Sequence, residues 1–129
     1  MPNEAERSVE TIEHSRYLEV RLTGLFSVDW FNQQVVAAVE ACRKGGRSLL
    51  LLDVTGVSSD LTMNDRFEIA EHGARAAVKI KVALVAFPEL IDPRKFGVTV
   101  ARNRGLDVDV FTDRSEALRW LLTPTRKSP

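Results

Sequence analysis

The chain is short of the residues that ordinarily announce chemistry. Its 129 residues include one cysteine and two histidines. The lone Cys42 cannot form an internal disulfide, which suits a reducing cytoplasm, the default compartment for this composition. His14 and His72 have no cysteine or second histidine at ligand spacing, so no metal site is expected. An excess of one charge sign is missing too. Lys plus Arg and Asp plus Glu both total 18, giving a net charge of zero. That argues against nucleic acid as a partner, because phosphate-tracking surfaces carry a clear basic excess. No apolar run approaches the ~20 residues that span a bilayer, so no membrane segment is expected. The opening MPNEAERS is polar and carries two glutamates, unlike a secretory signal. The motifs G-x-S-x-G, G-x-G-x-x-G and the P-loop do not occur, and with them goes the ground for expecting an enzyme or a cofactor.

What is present is a well-patterned globular chain. An apolar content of 44% and a charged content of 28% are ordinary for one folded domain, and at this length roughly two-thirds of the unfolded surface can be buried. The most telling stretch is Leu49 to Thr62, LLLLDVTGVSSDLT. Four leucines running into Asp53 read as a strand, Leu49 to Val54, covered on both faces, the mark of a parallel sheet sheathed by helices. The loop after such a strand is where α/β proteins commonly place function.

The remaining elements follow from periodicity and caps. Val9 to Glu13 and Tyr17 to Thr23 alternate apolar and polar residues about a turn at His14, Ser15 and Arg16, which predicts a hairpin, ended by Gly24. Ser27 is an N-cap for a helix to Lys44, with Val28, Phe31, Val35, Val39 and Cys42 as its inner stripe and Gly45-Gly46 as its stop. Thr62 and Asp65 resemble a capping box opening a second helix, whose core face is Met63, Phe67, Ala70, Ala74 and Ala77. Lys81 to Phe87 is a further strand, ended by Pro88. Asp92-Pro93 predicts the start of a third helix, closed by Gly105. Leu106 to Phe111 alternates, as an edge strand or one with a solvated face does. Asp113 with Glu116 caps a last helix carrying Ala117, Leu118, Leu121 and Leu122. The order β-β-α-β-α-β-α-β-α makes one α/β domain over residues 9–122: a mixed, mostly parallel sheet of about five strands with helices packed on it. Residues 1–8 are expected to be a flexible terminus and 123–129 a frayed tail.

The motifs DVTGVSSDLTMND, KVALVAF and GLDVDVFTDRSEALRWL together resemble the STAS family, of SpoIIAA-like fold. The likeness is nearest to small STAS/SEC14-type proteins ending in VFxDxxEALxWL, and it covers residues 9 to 122. It implies a four- or five-stranded mixed sheet, agreeing with the independent reading. It also implies a non-catalytic regulatory module that binds a protein: an anti-sigma factor, a kinase or a signalling complex. The alternative it implies is a STAS/SEC14-type protein binding an apolar or anionic small molecule.

In the STAS family a serine in a D-S-S-G turn at the start of the second helix is phosphorylated by a partner kinase. A phosphate there meets free backbone N–H groups and the positive end of the helix dipole. Aligned from Asp53, the D-S-S-G positions fall on Leu61, Thr62, Met63 and Asn64, so Met63 stands where the modified serine would be. Thr62, Ser59 and Ser58 lie near enough to act as phosphoacceptors in its place. The expected partner-binding loop is Thr55 to Thr62, through Asp53, Thr55, Ser58, Ser59, Asp60 and Thr62.

Asp53 at the end of LLLLD also resembles the phosphoacceptor of receiver domains. Its companions are missing: the turn after Thr23 offers only Asp29, and Phe87-Pro88-Glu89 supplies no lysine, so Asp53 is expected to bond backbone amides of the following loop. Arg94, Lys95, Arg102 and Arg104 against Asp92 make a local basic excess, a candidate anion-binding group or a solvated face. Trp30 and Trp120 are either core residues or centres of a binding patch. Cys42, on a buried stripe, reads as an inert thiol. A homodimer through the edge strand or exposed aromatics is compatible with the pattern.

Overall fold

The computed structural model describes residues 6–58 and 61–124, with Ser58 described by its backbone alone. The elements are β1 (Ser8–Glu13), β2 (Leu18–Leu25), α1 (Val28–Lys44), β3 (Leu49–Ser58), α2 (Met63–Ala76), β4 (Lys81–Val85), α3 (Phe96–Asn103), β5 (Asp107–Phe111) and α4 (Arg114–Leu122). The strands form one five-stranded sheet in the order β1-β2-β3-β4-β5. β1 and β2 pair antiparallel as the expected hairpin, and β2 to β5 run parallel.

Strand order follows chain order, so every crossover moves the same way across the sheet. Right-handed crossovers all place their helices on one face, and α1, α2 and α3 share a single core there. α4 follows the last strand and closes over the other face. The four leucines of β3 serve both layers. Leu50 and Leu52 join Leu18, Val20, Phe31, Val39 and Val108 under the three helices. Leu51 joins Ala83, Val85, Ala117 and Leu121 under α4. A strand buried on both sides needs apolar residues at successive positions, and Leu49 to Leu52 provides them.

The caps stand where the local pattern places them. Ser27 Oγ accepts from the Trp30 N–H at 3.1 Å, and Gly45 ends α1 with its N–H on the Ala41 carbonyl. Asp113 accepts from the Glu116 N–H at 3.3 Å. The C-terminus of α4 is secured from below by a buried lysine. Lys81 Nζ donates to the carbonyls of Trp120 (2.7 Å) and Thr123 (2.6 Å) and lies over the Trp120 ring.

Beyond one-residue shifts at the starts of β1, β2 and β5, four boundaries differ from expectation. β2 does not end at Gly24 but runs to Leu25, and Gly24 adopts φ +127, a conformation open to glycine; a Cβ there would lie 2.8 Å from the Arg7 Cα. β3 continues to Ser58 because the lengthened β2 offers it a partner, so Thr55 and Ser58 belong to a strand and not to a loop. β4 ends at Val85 and not Phe87. α3 begins at Phe96, three residues after Pro93. Asp92 and Pro93 open a turn instead, with the Lys95 N–H on the Asp92 carbonyl at 2.8 Å. Asp-Pro favours the first two positions of a β-turn as well as a helix start. Lys95 then takes a left-handed φ of 51, which separates turn from helix. The Asp92 carboxylate still reaches the helix, accepting from the Phe96 N–H at 2.9 Å.

Of the expected flexible terminus, residues 1–5 lie outside the described residues. Arg7 donates to the Leu25 carbonyl and lies over the Trp30 ring, and Ser8 begins β1. Of the expected tail, residues 125–129 lie outside the described residues.

Candidate functional site

Parallel strands deliver their following segments to one end of the sheet. Here that end carries Leu25 at the close of β2, Ser58 at the close of β3 and Phe87 just beyond β4. α2 starts at the same end. Thr62 and Asp65 form the capping box: Thr62 Oγ1 accepts from the Asp65 N–H at 3.0 Å, and the Asp65 carboxylate accepts from the Thr62 N–H at 3.1 Å. Thr62 and Met63 are consequently held on the surface at the first turn of the helix.

The apolar residues at this end are unusually exposed. Leu25 is 39% exposed, Met63 51% and Phe87 54%, three of the five exposed large apolar side chains among the described residues. Isolated exposed apolar residues are unremarkable, but these three share one end of the sheet. Sequence reasoning placed Met63 on the core face of α2, and the structure corrects this: Met63 faces solvent. It stands at the first helical position, before the chain has turned inward.

The other expected loop residues divide. Ser59 and Asp60 lie outside the described residues. Asp53 is half-buried on the α4 side of the sheet, and its Oδ1 accepts from the Thr55 N–H at 2.9 Å and the Thr55 hydroxyl at 2.7 Å. The pairing of β2 with β3 shifts register here, Arg21 meeting Asp53 but Thr23 meeting Gly56. A bulge leaves a ladder amide unpaired, and the Asp53 carboxylate satisfies it, as expected of a residue bonding the amides that follow.

The four basic residues are not gathered into one patch. Lys95 and Arg102 converge on Asp109, at 3.1 and 3.2 Å. Arg104 instead reaches Glu71 of α2 at 3.4 Å and lies over the Phe67 ring. Arg94 is exposed in the turn before α3. Trp30 is half-buried against the core of α1, and Trp120 packs on Phe111 under α4. Among the described residues no three His, Cys, Asp or Glu side chains gather in a group able to hold a metal ion, and no described helix is long and apolar enough to cross a membrane.

One constellation has no counterpart in the sequence reading. On the α4 side of β2, Glu19 is 1% exposed. Its carboxylate accepts from Arg114 at 2.8 Å and Arg21 at 2.9 Å, and it meets His14 Nε2 at 2.8 Å. Tyr17 stacks on the His14 ring at 4.2 Å. Burial alone would push the Glu19 carboxyl up, but hydrogen bonds from Arg114, His14 and Arg21 outweigh it and hold the group at about 2. Glu19 is therefore a fixed anion that ties the hairpin to the N-terminus of α4. In the sequence it is merely the polar member of an alternating strand, with no signal to set it apart.

No protein-family model matches the chain, and no curated protein sequence matches it. Solved structures do. An anti-sigma factor antagonist from Mycobacterium paratuberculosis superposes with a TM-score of 0.62 at 12% identity, over 94% of this chain and 98% of that one. An uncharacterised DUF3478-family protein from Shewanella loihica PV-4, described as having a SpoIIAA-like fold, superposes with a TM-score of 0.54 at 20% identity, over 89% of this chain and 93% of that one. At such identities the likeness is one of fold alone: the chain has a SpoIIAA-like α/β fold, the fold its motifs implied.

Proposed function

We propose that this domain is a non-catalytic regulatory module that binds a protein partner through the carboxyl end of its sheet. The observation that carries the reading is the exposure of Leu25, Met63 and Phe87 together at that end, beside a helix N-terminus fixed in place by its capping box. The fold shared with a protein described as an anti-sigma factor antagonist supports the same reading. The partner class is an anti-sigma factor, a kinase or a signalling assembly of the cytoplasm. The recognition surface takes in Thr55, Ser58, Ser59, Asp60 and Thr62, with Asp53 shaping the strand beneath it.

Met63 at the family's phosphoserine position makes binding independent of modification there. Ser58, Ser59 or Thr62 would serve as a phosphoacceptor if the interaction is switched, since a phosphate at the N-terminus of α2 would add up to about two negative charges beside the exposed apolar residues. Photocrosslinking from position 64, exposed beside Met63, in cells of the source organism tests the surface. One protein, identified by mass spectrometry, should crosslink to the wild-type surface and be lost in Met63→Glu and Phe87→Glu. If those variants and Asp60→Lys, all folded by circular dichroism, retain every partner, the surface is wrong.

A further inference from the structure

Small residues recur where α2 and α3 approach the sheet, beside Ile69 and Val98. Ala70, Gly73 and Ala77 of the α2 segment, with Ala101 of α3 and with Gly97 packed against Arg66 of α2, line a cavity of about 170 Å³. Leu52 and Val108 line it from the strands opposite. Folded interiors are packed to crystal density, with few voids larger than a water molecule. An apolar cavity of roughly 150 Å³ stays dry and takes up a benzene-sized guest. The space here matches a six-carbon ring or chain and falls short of a membrane lipid.

One end of the cavity is polar, lined by Arg66, Asp92 and Lys95. The Asp92 carboxylate is committed to the Phe96 N–H. Arg66 gives one guanidinium N–H to the Leu90 carbonyl at 2.8 Å, and Lys95 gives one ammonium N–H to Asp109 at 3.1 Å. A guanidinium carries five donors and an ammonium three, so both retain hydrogens for a guest. We propose that the cavity is a binding site for a small monocarboxylic acid, its apolar body of five or six carbons between α2, α3 and the sheet and its carboxylate at Lys95 and Arg66. The proposal is independent of the partner surface at the exposed apolar residues.

Hexanoate titrated into the ¹⁵N-labelled protein tests it, with 1-hexanol as the uncharged chain and acetate as the chainless anion. Hexanoate should give saturable amide shifts centred on Gly73, Gly97 and Ala101. Hexanol should move the same amides with lower affinity, and acetate should not move them. Gly73→Leu fills the space; a Cβ at residue 73 meets nothing nearer than Leu106 Cδ2 at 3.9 Å. It should weaken hexanoate by about tenfold or more while remaining folded. Ala70→Leu replaces it if that variant does not fold. Lys95→Gln should weaken hexanoate severalfold and leave hexanol unchanged. Hexanoate shifts confined to surface residues and reproduced by acetate would overturn the proposal, as would undiminished binding in the filled variants. Hexanol binding as tightly as hexanoate, or Lys95→Gln leaving hexanoate unchanged, would overturn the assignment of the carboxylate.

Discussion

The carboxylate of Glu19 and the guanidinium of Arg114 meet at 2.8 Å across 95 positions of chain. The contact joins the second strand to the first turn of the last helix. Glu19 is buried while Arg114 is half-exposed, so the pair sits at the rim of the α4 layer, where its charge is desolvated on one side only. His14 and Arg21 complete the shell. The arrangement makes the stability of the domain sensitive to acid.

The Glu19 carboxyl is held at about 2 in the fold against an ordinary 4.5. Because the folded value is the lower one, the unfolded chain takes up its proton first as the pH falls. The stabilisation is therefore complete above ~pH 5 and is lost as the pH drops toward 2, on the order of 3 kcal/mol in all. Urea unfolding of wild type and Glu19→Gln across that range should show the difference between them shrinking steadily toward acid. A constant difference would mean that Glu19 is not the titrating group.

Removing either partner at neutral pH should be costly in unequal measure. Glu19→Gln leaves Arg114, Arg21 and His14 without their shared anion, and a loss of about 2–3 kcal/mol is expected. Arg114→Met should cost less, about 1–2 kcal/mol, since Arg21 and His14 still satisfy the carboxylate. A double-mutant cycle between the two sites measures the coupling, and additivity within error would show the contact to be idle.

At the start of α2, Thr62→Ala removes the acceptor for the Asp65 N–H. Loss of an N-cap of this kind costs about 1 kcal/mol. Thermal denaturation should report it, and Thr62→Asp, which keeps a cap acceptor, should recover most of the loss.

Lys81 is the anchor of the opposite end of α4. Lys81→Met keeps the aliphatic stem but strands the carbonyls of Trp120 and Thr123, its two acceptors. A loss of about 1–2 kcal/mol is expected, with amide exchange accelerating in the last turn of α4 before elsewhere. Uniform acceleration would show that the lysine stabilises the domain globally and does not act as a local cap.

Gly73 offers a gain in stability. It lies inside α2, and a Cβ there meets only Leu106 at ordinary contact distance. Gly73→Ala should therefore stabilise by about 0.5–1 kcal/mol through helix propensity, read as a higher urea midpoint with an unchanged slope.

Much of this molecule is legible in short stretches of its sequence because the causes are short-ranged. Ser27, Thr62 with Asp65, and Asp113 mark helix starts by hydrogen bonds spanning three residues. Leu49 to Leu52 announces a doubly covered strand because successive side chains point to opposite faces. The start of α3 was not legible, since Asp92-Pro93 suits a turn and a helix equally, and the left-handed Lys95 decided between them. The end of β3 was not legible either, because its length depends on how far β2 extends beside it. At the proposed partner surface, Met63 was identified by position but assigned to the core. Leu25 and Phe87 come to the same end only through the strand order.

The distant relationships belong wholly to the tertiary structure. Glu19 reads as an ordinary outward residue until α4 brings Arg114 over it. Ala70 and Ala77 read as a core face, and they are buried in it; that a cavity of about 170 Å³ lies beside them appears only once the helices are set on the sheet. The local pattern of apolar residues and caps determined which segments became strands and helices and which faces they buried, through interactions that reach at most one helical turn. Which charges meet, where space remains and which apolar side chains stay in water were decided by the packing of four helices on one sheet, because those outcomes depend on distances between residues far apart in the chain.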